Sequence, residues 1–455
     1  MKFTHRTRRG LDFEGIDEET PNIDSPIVFN VGGQVKKKII SGAIPGYDLR
    51  WFGVVGDGVA DDTTAIQSAM DNIPPGATLI LPPGVFLLTD TIVRHEPIAV
   101  IGTGSTGGHY ANHSTTFLLA PTIRKTALEF GYRESSLSNA VYLRGFSVKG
   151  QAEEEEGQPK YSLIKTYNRM RHSHFEDLFL FRSTGNGLYC TRDSGESGHQ
   201  NTYMYGVAAE HVGSDVLDYG IHYETGGYNL NISNCYAGFA PSYGGIRVSG
   251  GVNVNVNNCW VLRGLTGRRA IVIANTIHTV SITGNHINSG FIAISSNVQA
   301  GLTGGEISGN MFRPSESSDI PDYGIMLGGG VNGLNIHSNV IRDYNVAPIW
   351  ASSNLNNHIH DNFDRKNNKK DTNRGVATIV DGQSSVVVNH NCKLGRNEPG
   401  YLNVQITPHG DDRLWVTNKG ASTFTVNRSG TSGDISFEWA ARSVMEMYAT
   451  GAYPP

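Results

Sequence analysis

Glu224, His222, Arg247, Tyr189 and Lys165 are side chains whose types can exchange protons and bind carboxylates. Glycoside hydrolysis needs one carboxyl to protonate the leaving oxygen and another to activate water or attack the sugar. Glu224, with Asp218 or Asp193 opposite, could supply the pair. β-Elimination needs a cation to neutralise a uronate, a base for the α-proton and an acid for the leaving oxygen. Arg247, His222 and Tyr189 suit those tasks. Glu224, Asp218 and Asp193 are therefore read as catalytic, and Lys165, Tyr189, His222 and Arg247 as substrate-binding. Hydrolysis is preferred over elimination.

These residues are far apart in the chain, so something must make them neighbours. An apolar anchor recurs at Leu143, Phe175, Met204, Ile232, Val256, Ile282, Ile307, Ile336 and Ile359, with spacings of 32, 29, 28, 24, 26, 25, 29 and 23. A second ladder runs through Leu188, Ile221, Ile246, Ile271, Ile294, Ile325 and Ile349, with Ile164 as its first rung. Around each anchor apolar and polar residues alternate, as in Gly-Ile-Arg-Val-Ser, so one strand face is buried. A single coil cannot bury that face alone, but coils stacked about 4.8 Å apart can. The pattern predicts a parallel β-helix. The residue after each second-ladder anchor then points outward and forms a column: Lys165, Tyr189, His222, Arg247, Val272, Ser295, Met326, Trp350. Two positions further on, Tyr167, Thr191, Glu224, Ser249 and Ala274 form a parallel column. The loops add Glu196 and His199 beside Asp193, and Asp215 beside Asp218.

Other polar groups read as structural. Asn234, Asn258, Asn285, Asn310, Asn339 and Asn362 sit where the chain bends and are turn residues. His337 and His360 share an outward position and read as a surface ladder rather than a metal site. Glu153–Glu156 reads as a solvated insertion. Cys190, Cys235, Cys259 and Cys392 are too few for a disulfide scaffold, and Cys235 and Cys259 read as stacked, buried free thiols. No spacing resembles a zinc site, and no cofactor is expected.

The bulk numbers agree with a turn-rich all-β protein. Of 455 residues 55 are Gly and 17% are charged, and the net charge of −5 gives no reason to expect nucleic acid as a partner. No apolar run approaches a membrane span, so no membrane insertion is expected. The opening Met-Lys-Phe-Thr-His-Arg-Thr-Arg-Arg lacks the apolar core of a signal peptide.

Residues 1–49 read as an extended arm and 50–365 as the β-helix, with a capping helix near 62–72 that Asp61 or Asp62 could cap. Strands are expected at Thr78–Leu81 and Val85–Leu88. Residues 366–376 read as a linker and 377–455 as an antiparallel β-sandwich. That sandwich would hold a hairpin about Asp381-Gly382, strands at 402–407, 413–417, 422–427 and 434–441, and a core of Trp415, Phe424, Phe437 and Trp439.

The pattern Phe52-Gly53, Gly56-Asp57-Gly58, Asp61-Asp62-Thr63, Ala65-Ile66-Gln67, then Leu81-Pro82-Pro83-Gly84 resembles the N-terminal signature of the pectate-lyase-like superfamily. Trp51 stands where Asp or Tyr is usual. The superfamily includes phage tailspikes and depolymerases of bacterial capsules and exopolysaccharides. The resemblance implies a right-handed coil, a homotrimer, a virion or extracellular location, and a bacterial polysaccharide as substrate. It leaves hydrolase and lyase chemistry open, together with a non-catalytic glycan-binding spike. A fructotransferase of the same architecture is disfavoured by the capping signature.

Overall fold

The computed structural model describes residues 27–31, 35–39 and 46–443, except 106–113, 132–139, 151–159, 168–169, 193–197, 213–217, 225, 241–243, 264–268, 289, 296–303, 314–319, 343, 345–346, 352–356, 365–368, 371, 391, 393–401, 411–412 and 421. Asp193, Glu196, Asp215 and Glu153–Glu156 fall outside the described residues.

The chain winds as a parallel β-helix. All nine anchors are direct partners in successive coils, from Leu143 opposite Phe175 to Ile336 opposite Ile359. They line one continuous apolar column, each almost wholly removed from solvent. Two residues after every anchor the backbone turns through the left-handed region: Gly145, Asp177, Gly206, Asn234, Asn258, Gly284, Gly309, Ser338 and Asp361 all have φ between 49° and 68°. Gly, Asn and Asp accept that conformation at little cost, which is why they punctuate the repeat.

The residue after this bend fills a second buried column, and here the reading of the asparagines needs correction. Asn234 and Asn258 occupy the bend itself, whereas Asn285, Asn310, Asn339 and Asn362 lie one position later and are buried. Cys235 and Cys259 take that buried slot in the two coils below, and both are free thiols. Each buried asparagine donates to the carbonyl of an anchor, for instance Asn310 Nδ2 to Ile282 O at 2.9 Å, and all but the last also donate to the next asparagine's Oδ1. The asparagines are thus a hydrogen-bonded spine inside the coil.

The second ladder holds through Ile164, Leu188, Ile221, Ile246 and Ile271. Its next rung is Ile292, not Ile294, so the outward residue there is Ala293 rather than Ser295. Ile292 and Ile294 lie two residues apart on the same buried face, and a register shift between Arg269 and Ile271 interrupts the ladder just before this rung.

The helix Thr63–Asn72 covers the first coil with Ile66, Ala69 and Met70 buried. Its two preceding aspartates divide the work. The Asp61 carboxylate accepts from Thr63 N at 3.0 Å, while the Asp62 carboxylate accepts from Val55 N and Gly56 N at 2.6 and 3.0 Å. Strands follow at Thr78–Ile80 and Gly84–Leu88. Within the segment read as an arm, Ile27–Val31 and Val35–Ile39 pair antiparallel, and Tyr47–Asp48 already pairs with Leu79–Ile80 in the coil.

Near the C-terminus two three-stranded antiparallel sheets share one core containing Ile379, Phe424, Phe437 and Trp439. Two expectations fail here. Thr372–Ile379 and Ser385–Asn389 belong to different sheets, so Asp381-Gly382 is a crossing between sheets rather than a hairpin. Trp415 is 44% exposed and faces away from the core. Among the described residues no helix is long and apolar enough to cross a membrane.

Candidate functional site

Stacking brings the outward column together. Lys165 lies opposite Tyr189, Tyr189 opposite His222, and His222 opposite Arg247. The parallel column pairs Thr191 with Glu224. Above Arg247 the same wall becomes apolar, with Val272, Ala293, Met326 and Trp350 buried, so the charged stretch is local.

Within that stretch the side chains hold one another. The Tyr189 hydroxyl donates to Glu224 Oε2 at 2.6 Å, and burial together with this carboxylate pushes the phenol up to about 12. Tyr189 is therefore a fixed proton donor at neutral pH, not a base. Its ring stacks on His222 with centroids 4.8 Å apart, and Lys165 Nζ lies 5.3 Å from the Tyr189 ring and 4.6 Å from that of Tyr167. Such cation–π contacts fix where the ammonium stands on the wall. The Arg247 guanidinium rests 5.5 Å from the Tyr219 ring and donates to Ser249 Oγ at 3.0 Å.

His222 is neutral here. Burial, then the nearby charge of Arg247, lowers its pKa to about 3. Neither ring nitrogen has a hydrogen-bond partner among the described residues, and Glu224 Oε2 is 3.9 Å from Nε2, beyond hydrogen-bond range. With the imidazole neutral this contact is not an ion pair. Glu224 itself is 44% exposed at its side chain, so its carboxylate is open to a ligand.

The histidines should leave a mark on acid stability. His199, wholly buried beside Tyr223, is likewise lowered to about 3 by burial. Between about pH 6.5 and about pH 3 the unfolded chain binds protons at these sites that the folded chain refuses, so stability falls as pH falls through that window. A tenfold difference in proton affinity corresponds to about 1.4 kcal/mol, so each histidine costs the fold on the order of 5 kcal/mol at most by the acid end of the window. His222→Gln should flatten the fall of the urea midpoint between pH 6.5 and 4. An unchanged slope would refute a buried neutral His222.

Asp218 does not join Glu224. It lies just before the strand Tyr219–Glu224, is buried, and its Oδ2 is 3.7 Å from Lys160 Nζ. At roughly 3.3 Å per strand residue, the backbones of Asp218 and Glu224 are too far apart for a carboxyl pair at about 5–9.5 Å. Its role reads as structural. Two residues of the wall are not evident from the repeat. Glu129 lies directly opposite Lys165 in the coil below, and Tyr219 packs on both His222 and Arg247. His337 and His360 do stack, 5.0 Å apart, but His337 pairs with Glu306 and His360 with Asp361, and no group of three metal-ligating side chains occurs among the described residues.

A stack of parallel β-coils with a charged stretch confined to one wall places the protein in the class of β-solenoids. More narrowly, residues 48–266 match the family described as rhamnogalacturonase A/epimerase, pectate lyase-like. In structure the chain is similar to ORF18 of Geobacillus virus E2, with a TM-score of 0.51, 16% identity, and coverage of 84% of this chain and 75% of that one. It is also similar to the tailspike gp49 of Acinetobacter baumannii bacteriophage Fri1, a capsular polysaccharide depolymerase, with a TM-score of 0.42, 10% identity, and coverage of 92% and 91%. A third is the gp54 tailspike of A. baumannii bacteriophage AP22, solved with a capsular saccharide, with a TM-score of 0.44, 9% identity, and coverage of 88% and 96%. No curated protein sequence matches the chain.

Proposed function

We propose that this protein is a tailspike-like depolymerase that binds an acidic bacterial surface polysaccharide along the Lys165–Arg247 wall and cleaves its glycosidic bonds by hydrolysis. The observation that carries this reading is the 2.6 Å contact from Tyr189 to the accessible carboxylate of Glu224, in a wall that also bears Lys165 and Arg247. Tyr189 orients that carboxylate, while Lys165 and Arg247 bind sugar carboxylates. With Asp218 set aside, the second carboxyl is assigned to Asp193, two residues beyond Thr191, whose strand partner is Glu224. The family's description, which names a rhamnogalacturonase, supports a polysaccharide as substrate. A homotrimer and a virion or extracellular location are proposed with it.

β-Elimination is the second reading, favoured by the neutral His222 between a protonated tyrosine and an arginine. In that case His222 would take the α-proton, Tyr189 would give one to the leaving oxygen, and Arg247 would neutralise the uronate.

Incubation with a panel of acidic capsular and exopolysaccharides should release short oligosaccharides with new reducing ends and no new ultraviolet absorbance. Absorbance of an unsaturated uronate would replace hydrolysis with elimination. Tight binding without shortening of any polymer would leave a glycan-gripping spike and end the enzymatic reading.

A further inference from the structure

A cleft of about 730 Å3 lies between the last coil of the β-helix and the C-terminal sandwich, well away from the charged wall. Its floor is the outer face of the sheet formed by Thr372–Ile379, Ile435–Ser443 and Leu402–Pro408. Ala440 sits at the centre of that face, opposite Arg374 on one neighbouring strand and Gln405 on the other. A methyl between two long side chains leaves a hollow. One row over, Arg442 lies opposite Asn403. The far wall is Asp361 and Phe363 of the final coil, bridged to the sheet by Arg442 Nη2 donating to Ile359 O at 3.4 Å.

The chemistry of the lining is unbalanced. Among the described residues the Arg374 guanidinium and the amides of Asn403 and Gln405 make no side-chain hydrogen bond or ion pair, although they converge on one hollow. The Asp361 carboxylate is occupied by His360 Nδ1 at 2.9 Å, which leaves Arg374 as an available cation. Two amides offer paired donors and acceptors of the kind that match vicinal hydroxyls, and a guanidinium matches a carboxylate bidentately. The volume is within the range of about 300–1,000 Å3 typical of small-ligand sites, which favour such junctions.

We propose that this junction is a second saccharide site that takes a short, carboxylate-bearing oligosaccharide, with Arg374 on the carboxylate, Gln405 and Asn403 on hydroxyls, and Ala440 as the floor. It would hold the polymer at a distance from the wall and so keep the chain attached between encounters.

The test is calorimetric titration of the full-length protein carrying both Lys165→Ala and Arg247→Ala, with trigalacturonate as probe, so that the charged wall is disabled and the cleft is read alone. Binding is expected, with maltotriose at least tenfold weaker because it lacks carboxylates. Adding Arg374→Ala should weaken trigalacturonate at least tenfold, and adding Ala440→Trp should abolish it by filling the hollow. Both positions are exposed, so the fold should survive, as an unchanged thermal midpoint would verify. No binding to the protein carrying both wall substitutions, or retained binding in either added variant, overturns the site. Polymer cleavage by the otherwise native chain carrying Arg374→Ala is read separately, so failure here is distinct from failure of the depolymerase reading.

Discussion

Glu224→Gln should lower kcat/KM for polysaccharide cleavage by about a thousandfold, since a positioned acid or base contributes roughly 10²–10⁴ and a nucleophile more. The substitution is close to isosteric, and the new amide oxygen can still accept from the Tyr189 hydroxyl now 2.6 Å away. The coil should therefore stay intact, and circular dichroism and the thermal midpoint should match the parent. Tyr189→Phe should cost less, about tenfold, because it releases the carboxylate without removing it. Arg247→Ala should act chiefly on KM if the guanidinium binds sugar carboxylates. The measurement is reducing-end release under single-turnover and steady-state conditions. Full activity in Glu224→Gln would move the chemistry off this wall altogether. Retained activity in Asp193→Asn would leave Glu224 as the centre but end the two-carboxyl assignment.

Much of this wall is legible in the sequence because stacking converts a sequence offset into a spatial one. Lys165, Tyr189, His222 and Arg247 each follow a buried aliphatic by one residue, and parallel pairing keeps that offset from coil to coil. Glu129 escapes because the repeat fades below Leu143, though Leu128 is a buried rung like the others. Tyr219 escapes because it precedes Gly220, where a Cβ would meet Ala209 and Ala237 inside the coil, so simple alternation misplaces it. The Ser295 expectation fails because Ile292 and Ile294 are both buried and two residues apart, so a period-two pattern cannot choose between them. Asp218 is close to Glu224 in sequence, whereas an extended strand makes near residues distant in space. The neutral state of His222 depends on burial by Tyr189 and Tyr219, which only the assembled wall supplies.

The coil architecture is similarly open to reading, and its misjudged asparagine column explains a difference in expected stability. The two classes of asparagine look alike in sequence, since both follow an anchor within three residues. Their burdens differ. Asn258 is needed for a bend at φ 52°, a conformation that Gly adopts without penalty, so Asn258→Gly should change stability by less than about 1 kcal/mol. The Asn310 side chain instead makes four buried hydrogen bonds. It donates to Ile282 O and Asn339 Oδ1 at 2.9 Å, and its Oδ1 accepts from Asn285 N and Nδ2 at 3.0 and 2.9 Å. Asn310→Ala would leave those donors and acceptors without partners in a dry interior, at about 1–3 kcal/mol for each group that water cannot reach. Because neighbouring coils share the damage, a loss of about 3–5 kcal/mol is expected, seen as a lower urea midpoint with an unchanged m-value. The same substitution should spare the site at Glu224, several coils away, so cleavage measured well below the unfolding transition should match the parent. Equal costs for Asn258→Gly and Asn310→Ala would mean that the interior column carries no more of the coil than the bends do.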